Sequence, residues 1–128
     1  MSTASITLCE FAAVHADKTF SVIRGGINHW TVTALPTRLN IVVLVQILPG
    51  FSVGAHGVVF RILSPAEKLM IEINLNLMVT DRDEVLAASI PVPIEVTATG
   101  RYRFVIVDKQ GDSIGSTALD IRWNTPKN

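Results

Sequence analysis

Four aspartates in two turns are the first groups in this sequence that could do chemistry. They are Asp81 and Asp83 in "TDRDE", and Asp108 and Asp112 in "DKQGD". Carboxylates gathered on β-sandwich loops can ligate calcium, a hard ion that takes about six to eight oxygens. The same residues also stabilise tight turns by accepting hydrogen bonds from their own backbone. If every turn sends the chain from one end of the domain to the other, both loops share a rim. Counting turns also brings Glu84, the loop "PGFSVGAHG" and the pair Gly25-Gly26 to that rim, with His29 and His56 close by. His15 and Asp17 fall on the opposite rim. Turn capping is the first reading of the aspartates, and calcium binding is the alternative.

Other chemistries lack their required spacing. Zinc sites place ligands in close pairs, and the sequence has no H-x-H or C-x-x-C. Cys9, the one cysteine, lies in an alternating strand and reads as a small buried hydrophobe rather than a thiolate. No serine sits in a G-x-S-x-G elbow. A carboxylate pair for glycoside chemistry would need a cleft with aromatic walls. The 2 Trp, 1 Tyr and 5 Phe are too few to build one beside a core. No enzyme and no resident cofactor are therefore expected.

In "FSVIRGGINHW", Gly25-Gly26 lies between two β-rich stretches. A phosphate loop would need a helix after the glycines, whereas Thr31, Val32 and Thr33 are β-branched and favour a strand. Adjacent glycines supply the positive φ angles of a type I′ hairpin turn, and a hairpin is expected there.

The elements that position these residues follow a period of two. Leu69, Ile71, Ile73, Leu75, Leu77 and Val79 alternate with Met70, Glu72, Asn74, Asn76 and Met78. Leu86, Ala88, Ile90, Val92, Ile94 and Val96 form a second alternating series. Such alternation marks strands with one buried face. Pro91 and Pro93 have no amide proton and place their strand at an edge or a crossing between sheets. "LNIVVLVQIL" is apolar on both faces from Ile41 to Val45, as in a central strand covered twice. Turn signals separate about nine strands, and only "SPAEK" could close a helical turn, capped by Ser64. The fold class is all-β: a single, mostly antiparallel sandwich, immunoglobulin-like or C2-like, over residues 1–123, with a frayed tail at 124–128.

The order of features resembles small bacterial domains of unknown function. The shared features are the acidic and aromatic N-terminal strand at Glu10-Phe11, a "K…GG" segment at Lys18 and Gly25-Gly26, a proline and a central apolar strand. The resemblance implies a β-sandwich and no activity.

The composition points to a binding surface. Apolar residues make up 48% of the 128-residue chain and charged residues 17%, against about 25% in an average domain. Eleven basic residues balance eleven acidic ones, so the footprint of a nucleic-acid binder is absent. No apolar run reaches the roughly 20 residues of a membrane helix. With no signal-peptide pattern and no disulfide, a cytoplasmic location is expected. Of the strand residues Val42 and Leu44, or else Ile41, Val43 and Val45, one set faces outward and needs a cover. Phe51 reads either as an exposed loop anchor for a partner, with His56 beside it, or as a satellite packing residue, and Met70 and Met78 as adaptable contacts on the polar side of their strand. Trp30 and Trp123 read as core residues. The expected function is a non-enzymatic binding or assembly module. It would dock on a protein partner or on its own copies; the alternative is a calcium-dependent C2-like or carbohydrate-binding-like module.

Overall fold

A computed structural model describes residues 4–17 and 19–124. Lys18 and residues 125–128 of the expected tail lie outside the described residues. The chain forms nine strands: β1 (Ala4–Val14), β2 (Phe20–Gly25), β3 (His29–Val32), β4 (Thr37–Ile47), β5 (Gly54–Leu63), β6 (Leu69–Val79), β7 (Leu86–Val96), β8 (Gly100–Val107) and β9 (Ser113–Trp123). They build two sheets, ordered β2-β1-β4-β7 and β3-β9-β8-β5-β6. All pairs are antiparallel except β3 with β9, which is parallel.

Alternation places the core between the sheets. From β4, Ile41, Val43 and Val45 point inward, where they join Phe60 and Ile62 of β5 and Phe104 and Ile106 of β8. The rings of Phe60 and Phe104 lie 6.3 Å apart. No polar or charged residue is buried among the described residues.

The outward set of β4 is Val42 and Leu44, and its cover comes from the same sheet rather than from a long loop or a second subunit. Leu44 is only 2% exposed. It packs in a small outer cluster with Cys9 and Ala12, flanked by Val22, Val42 and Ala87. Burial pushes the Cys9 thiol above its ordinary pKa, with the Leu44 backbone pulling the other way. This is the inert, hydrophobe-like cysteine expected from its strand. Pro91 and Pro93 sit on β7, an edge strand, opposite Val42 and Asn40. Among the described residues β7 has no second partner strand, which is the edge position where proline is tolerated.

The expected hairpin at Gly25-Gly26 is not formed. β2 pairs with β1, whereas β3 pairs with β9 in the other sheet, so the glycines carry a crossover. The bend is sharp: Arg24 and Gly26 both have positive φ, at 55° and 81°. The type I′ turn expected of adjacent glycines is not formed either, since positive φ falls on Arg24 and Gly26 and not on Gly25. The count of turns fails because the chain changes sheets here. Gly25 ends β2 opposite Cys9, mid-way along β1, and not on the aspartate rim. The segment at Ser64 is a turn rather than helix: Glu67 adopts φ 63° and the Ser64 hydroxyl accepts the Lys68 N–H.

Two further devices join the sheets. Tyr102, buried near the start of β8, donates its hydroxyl proton to the Ala98 carbonyl at 2.8 Å. Such a tyrosine corner is a hallmark of immunoglobulin-like sandwiches. Gly115 of β9 lets the Ala4 backbone of β1 approach closer than any Cβ would permit.

Two outcomes are expected in denaturant unfolding. Gly26→Val should destabilise the fold by about 1–3 kcal/mol through strain at positive φ, since no atom within 4 Å would clash with the new Cβ. Tyr102→Phe should cost about 1 kcal/mol by orphaning the Ala98 carbonyl.

Candidate functional site

Three loops meet at one end of the sandwich: residues 48–53, 80–85 and 108–112. Antiparallel pairing dictates this, because Ile47 lies opposite Leu86, and Gly54 opposite Val79. The Gly50 N–H reaches the Arg82 carbonyl at 3.1 Å. Between the first and third loops lies an open depression of about 680 Å³, lined by Phe51, His56, Asp108, Lys109 and Asp112 among others.

Of the two readings of Phe51, the structure takes packing and not the exposed anchor. It is 9% exposed and belongs to the main core. Its ring stacks on that of His56, with centroids 5.0 Å apart and planes 15° from parallel. His56 Nε2 lies 2.6 Å from the Ser52 carbonyl, so it is the donor in that bond. The pair closes the end of the core: the phenyl ring fills apolar space, and the imidazole covers it and ties down the loop.

Two of the four carboxylates, those of Asp81 and Asp108, are engaged by their own turns. Asp108 Oδ1 accepts the N–H groups of Gln110 and Asp112, at 3.0 Å and 2.9 Å. Asp81 Oδ1 accepts the Asp83 N–H at 2.9 Å. The loops share a rim, as the sequence implied, but their carboxylates stay apart. Among the described residues, no three His, Cys, Asp or Glu side chains gather into a group that could hold a metal ion.

The histidines scatter. His29 lies on β3 opposite Asp120, away from the rim where the turn count placed it, and contacts Asn28 Oδ1 at 2.8 Å. His15 sits at the opposite end and contacts Ser21 Oγ at 2.7 Å. Asp120 faces Arg101, whose guanidinium 3.1 Å away holds its carboxyl below the ordinary range. His15 with Ser21 and Arg101 with Asp120 link neighbouring segments across the sheet surface.

The apolar surface is more distinctive. Phe11 and Ile23, paired directly across β1 and β2, are 50% and 57% exposed. Val14 and Phe20 form a second exposed pair on the same hairpin. Leu48, Val53 and Val85 rim the loop end, and Met78 stands out from β6 at 63% exposure. Met70, expected beside Met78 on the polar side, is instead the extra residue of a bulge opposite Ile62/Leu63 and packs on the core. Trp123, expected in the core, is 52% exposed because β9 runs past the last buried layer at Ile121. Trp30 is partly buried against the core as expected, with Arg24 5.9 Å from its ring centre. The sequence reading passed over Phe11, Ile23, Leu48, Val53 and Val85. The signal available was apolar residues in or beside turns, where little core remains to take them.

No family model and no curated protein matches the chain. Among solved structures, it is similar to the CARDB domain of a Pyrococcus furiosus protein, solved in complex with di-metal ions. The TM-score is 0.50 at 12% identity, over 97% of this chain and 94% of that one. The likeness extends to the fold, a β-sandwich. No helix among the described residues is long and apolar enough to cross a membrane.

Calcium titration followed by thermal melting tests the aspartate rim. With Asp81 and Asp108 engaged in turns, millimolar calcium should leave the melting temperature unchanged. A bound ion at a hundredfold excess over Kd would add about 2.7 kcal/mol. A rise that disappears in Asp81→Asn and Asp108→Asn would assign the rim to an ion.

Proposed function

We propose that this chain is a non-catalytic β-sandwich module that docks on polypeptide surfaces, its own copies included. One observation carries the reading: large apolar side chains stay in solvent in directly paired positions, as Phe11 with Ile23 and Val14 with Phe20. Isolated exposed apolar residues are ordinary, but directly adjacent ones mark interaction surfaces; the two pairs, three positions apart in one register, stand on opposite faces of the β1–β2 ribbon. The balance of eleven basic and eleven acidic residues supports the reading, because no net repulsion opposes contact between copies near neutral pH. Engaging Asp81 and Asp108 in their own turns favours docking over the calcium-dependent alternative.

Sedimentation velocity of the full chain across micromolar concentrations tests this. The expected result is an average mass that rises above the monomer with concentration, while binding of an apolar dye falls. A monomer at every concentration removes self-association. A monomer that also binds no apolar dye overturns the whole reading.

A further inference from the structure

The sheet edges differ in how they are closed. β7 is blunted by Pro91 and Pro93, and β3 is only four residues long. β6, the end strand of the larger sheet, has eleven residues and no proline, and its far side is unpaired among the described residues. Unpaired N–H and C=O groups on such an edge are a template for another strand. The inward residues Ile71, Ile73, Leu75 and Leu77 are only half-buried. Beside them a small apolar cavity of about 130 Å³ opens between β6 and β7, lined by Val45, Ile47, Leu75, Leu77, Leu86 and Ala88 among others. The core is thus incomplete along this edge.

The sequence of β6 names its occupant. Around Asn74 the strand reads the same in both directions by residue class. Turned antiparallel on itself, it sets Ile73 opposite Leu75, Glu72 opposite Asn76, and Ile71 opposite Leu77. Asn74 meets its own copy on the two-fold axis. Apolar residues meet apolar ones on the inner face, and polar residues meet polar ones on the outer face. The strand's one charged residue, Glu72, faces an amide and not another carboxylate, and Arg61 already balances it at 3.0 Å. The bulge at Met70 ends the regular stretch on one side, so the paired segment begins at Ile71. A two-fold interface must be self-complementary in this way. From this symmetry we infer that β6 is a homodimerisation edge: two copies pair antiparallel about Asn74 and join their larger sheets into one. The inference rests on the self-association proposed above and gives it a surface of its own, separate from the exposed β1–β2 pairs.

Two lysine substitutions on the exposed outer face test the register. Asn74→Lys places two ammonium groups against each other on the axis. It should weaken the dimer about tenfold, since directly opposed like charges destabilise a strand pair. Asn76→Lys places each new lysine opposite the partner's Glu72, twice per dimer, and should tighten it about threefold. Thermal melting of each variant monitors the fold, and sedimentation equilibrium at low salt reads the dissociation constants. Opposite responses from two chemically identical substitutions, both fading in high salt, support the inference. Equal weakening by both, or no response in a protein that still associates, overturns this register while self-association survives. A wild-type chain that is monomeric throughout removes both this inference and self-association.

Discussion

Everything in this molecule is arranged around a core of apolar side chains, in which Tyr102 alone among the buried residues described brings a polar atom. The inward residues of β4 meet the phenylalanines and isoleucines of β5 and β8, and no charged residue is buried with them among the described residues. A buried polar group needs a partner, which the Tyr102 hydroxyl finds in the Ala98 carbonyl and which the two apolar faces do not provide. The charged side chains described are therefore expelled to loops and outer faces. There solvent screens it, and exposed ion pairs contribute little to stability. Arg61 with Glu72 and Arg101 with Asp120 are pairs of this kind. The same constraint explains why Asp81 and Asp108 serve turns. At the ends of a dry sandwich, the backbone N–H groups of the loops need acceptors, and the nearest carboxylate supplies them.

Much of the fold was legible because strand alternation has a simple cause. Leu69–Val79 and Leu86–Val96 were read with the boundaries observed, and Pro91 and Pro93 marked an edge strand. The destination of the chain after a bend was not legible. Gly25-Gly26 permits positive φ, and that freedom serves hairpins and crossovers alike. Only the partner of the next strand decides, and that partner is β9, near the other end of the described chain. The tyrosine corner was also missed. Its only local sign is a tyrosine just after the turn "TATG", which gains meaning once Ala98 is seen to accept its hydroxyl.

The loop end was half legible. Its three loops could be placed together, because most turns do reverse the chain. What Phe51 and the carboxylates do there could not be read, since both depend on neighbours distant in sequence. Phe51 read two ways between a glycine and a serine, and it fills the end of the core and stacks on His56. Outward Leu44 looked in need of a foreign cover, but Cys9 and Ala12 of the adjacent strand lie against it. In both cases one residue's burial depended on a strand or loop that its own spacing does not mention. Conversely, Trp123 looked like core by its spacing and is exposed, because β9 runs on past its last buried residue, Ile121.

The parallel pairing of β3 with β9 also orders events during synthesis. His29–Val32 align with Asp120–Trp123, about ninety residues later in the chain. While a ribosome is still making the middle strands, β1, β2 and β4 already have one another as partners, and β3 has none. It must wait, tethered on both sides, until the final strand emerges. Contacts this remote close slowly, because a long loop must be gathered before they return any energy. Docking β3 is thus a closing step of folding, and a nascent chain caught before it would still be open along that edge.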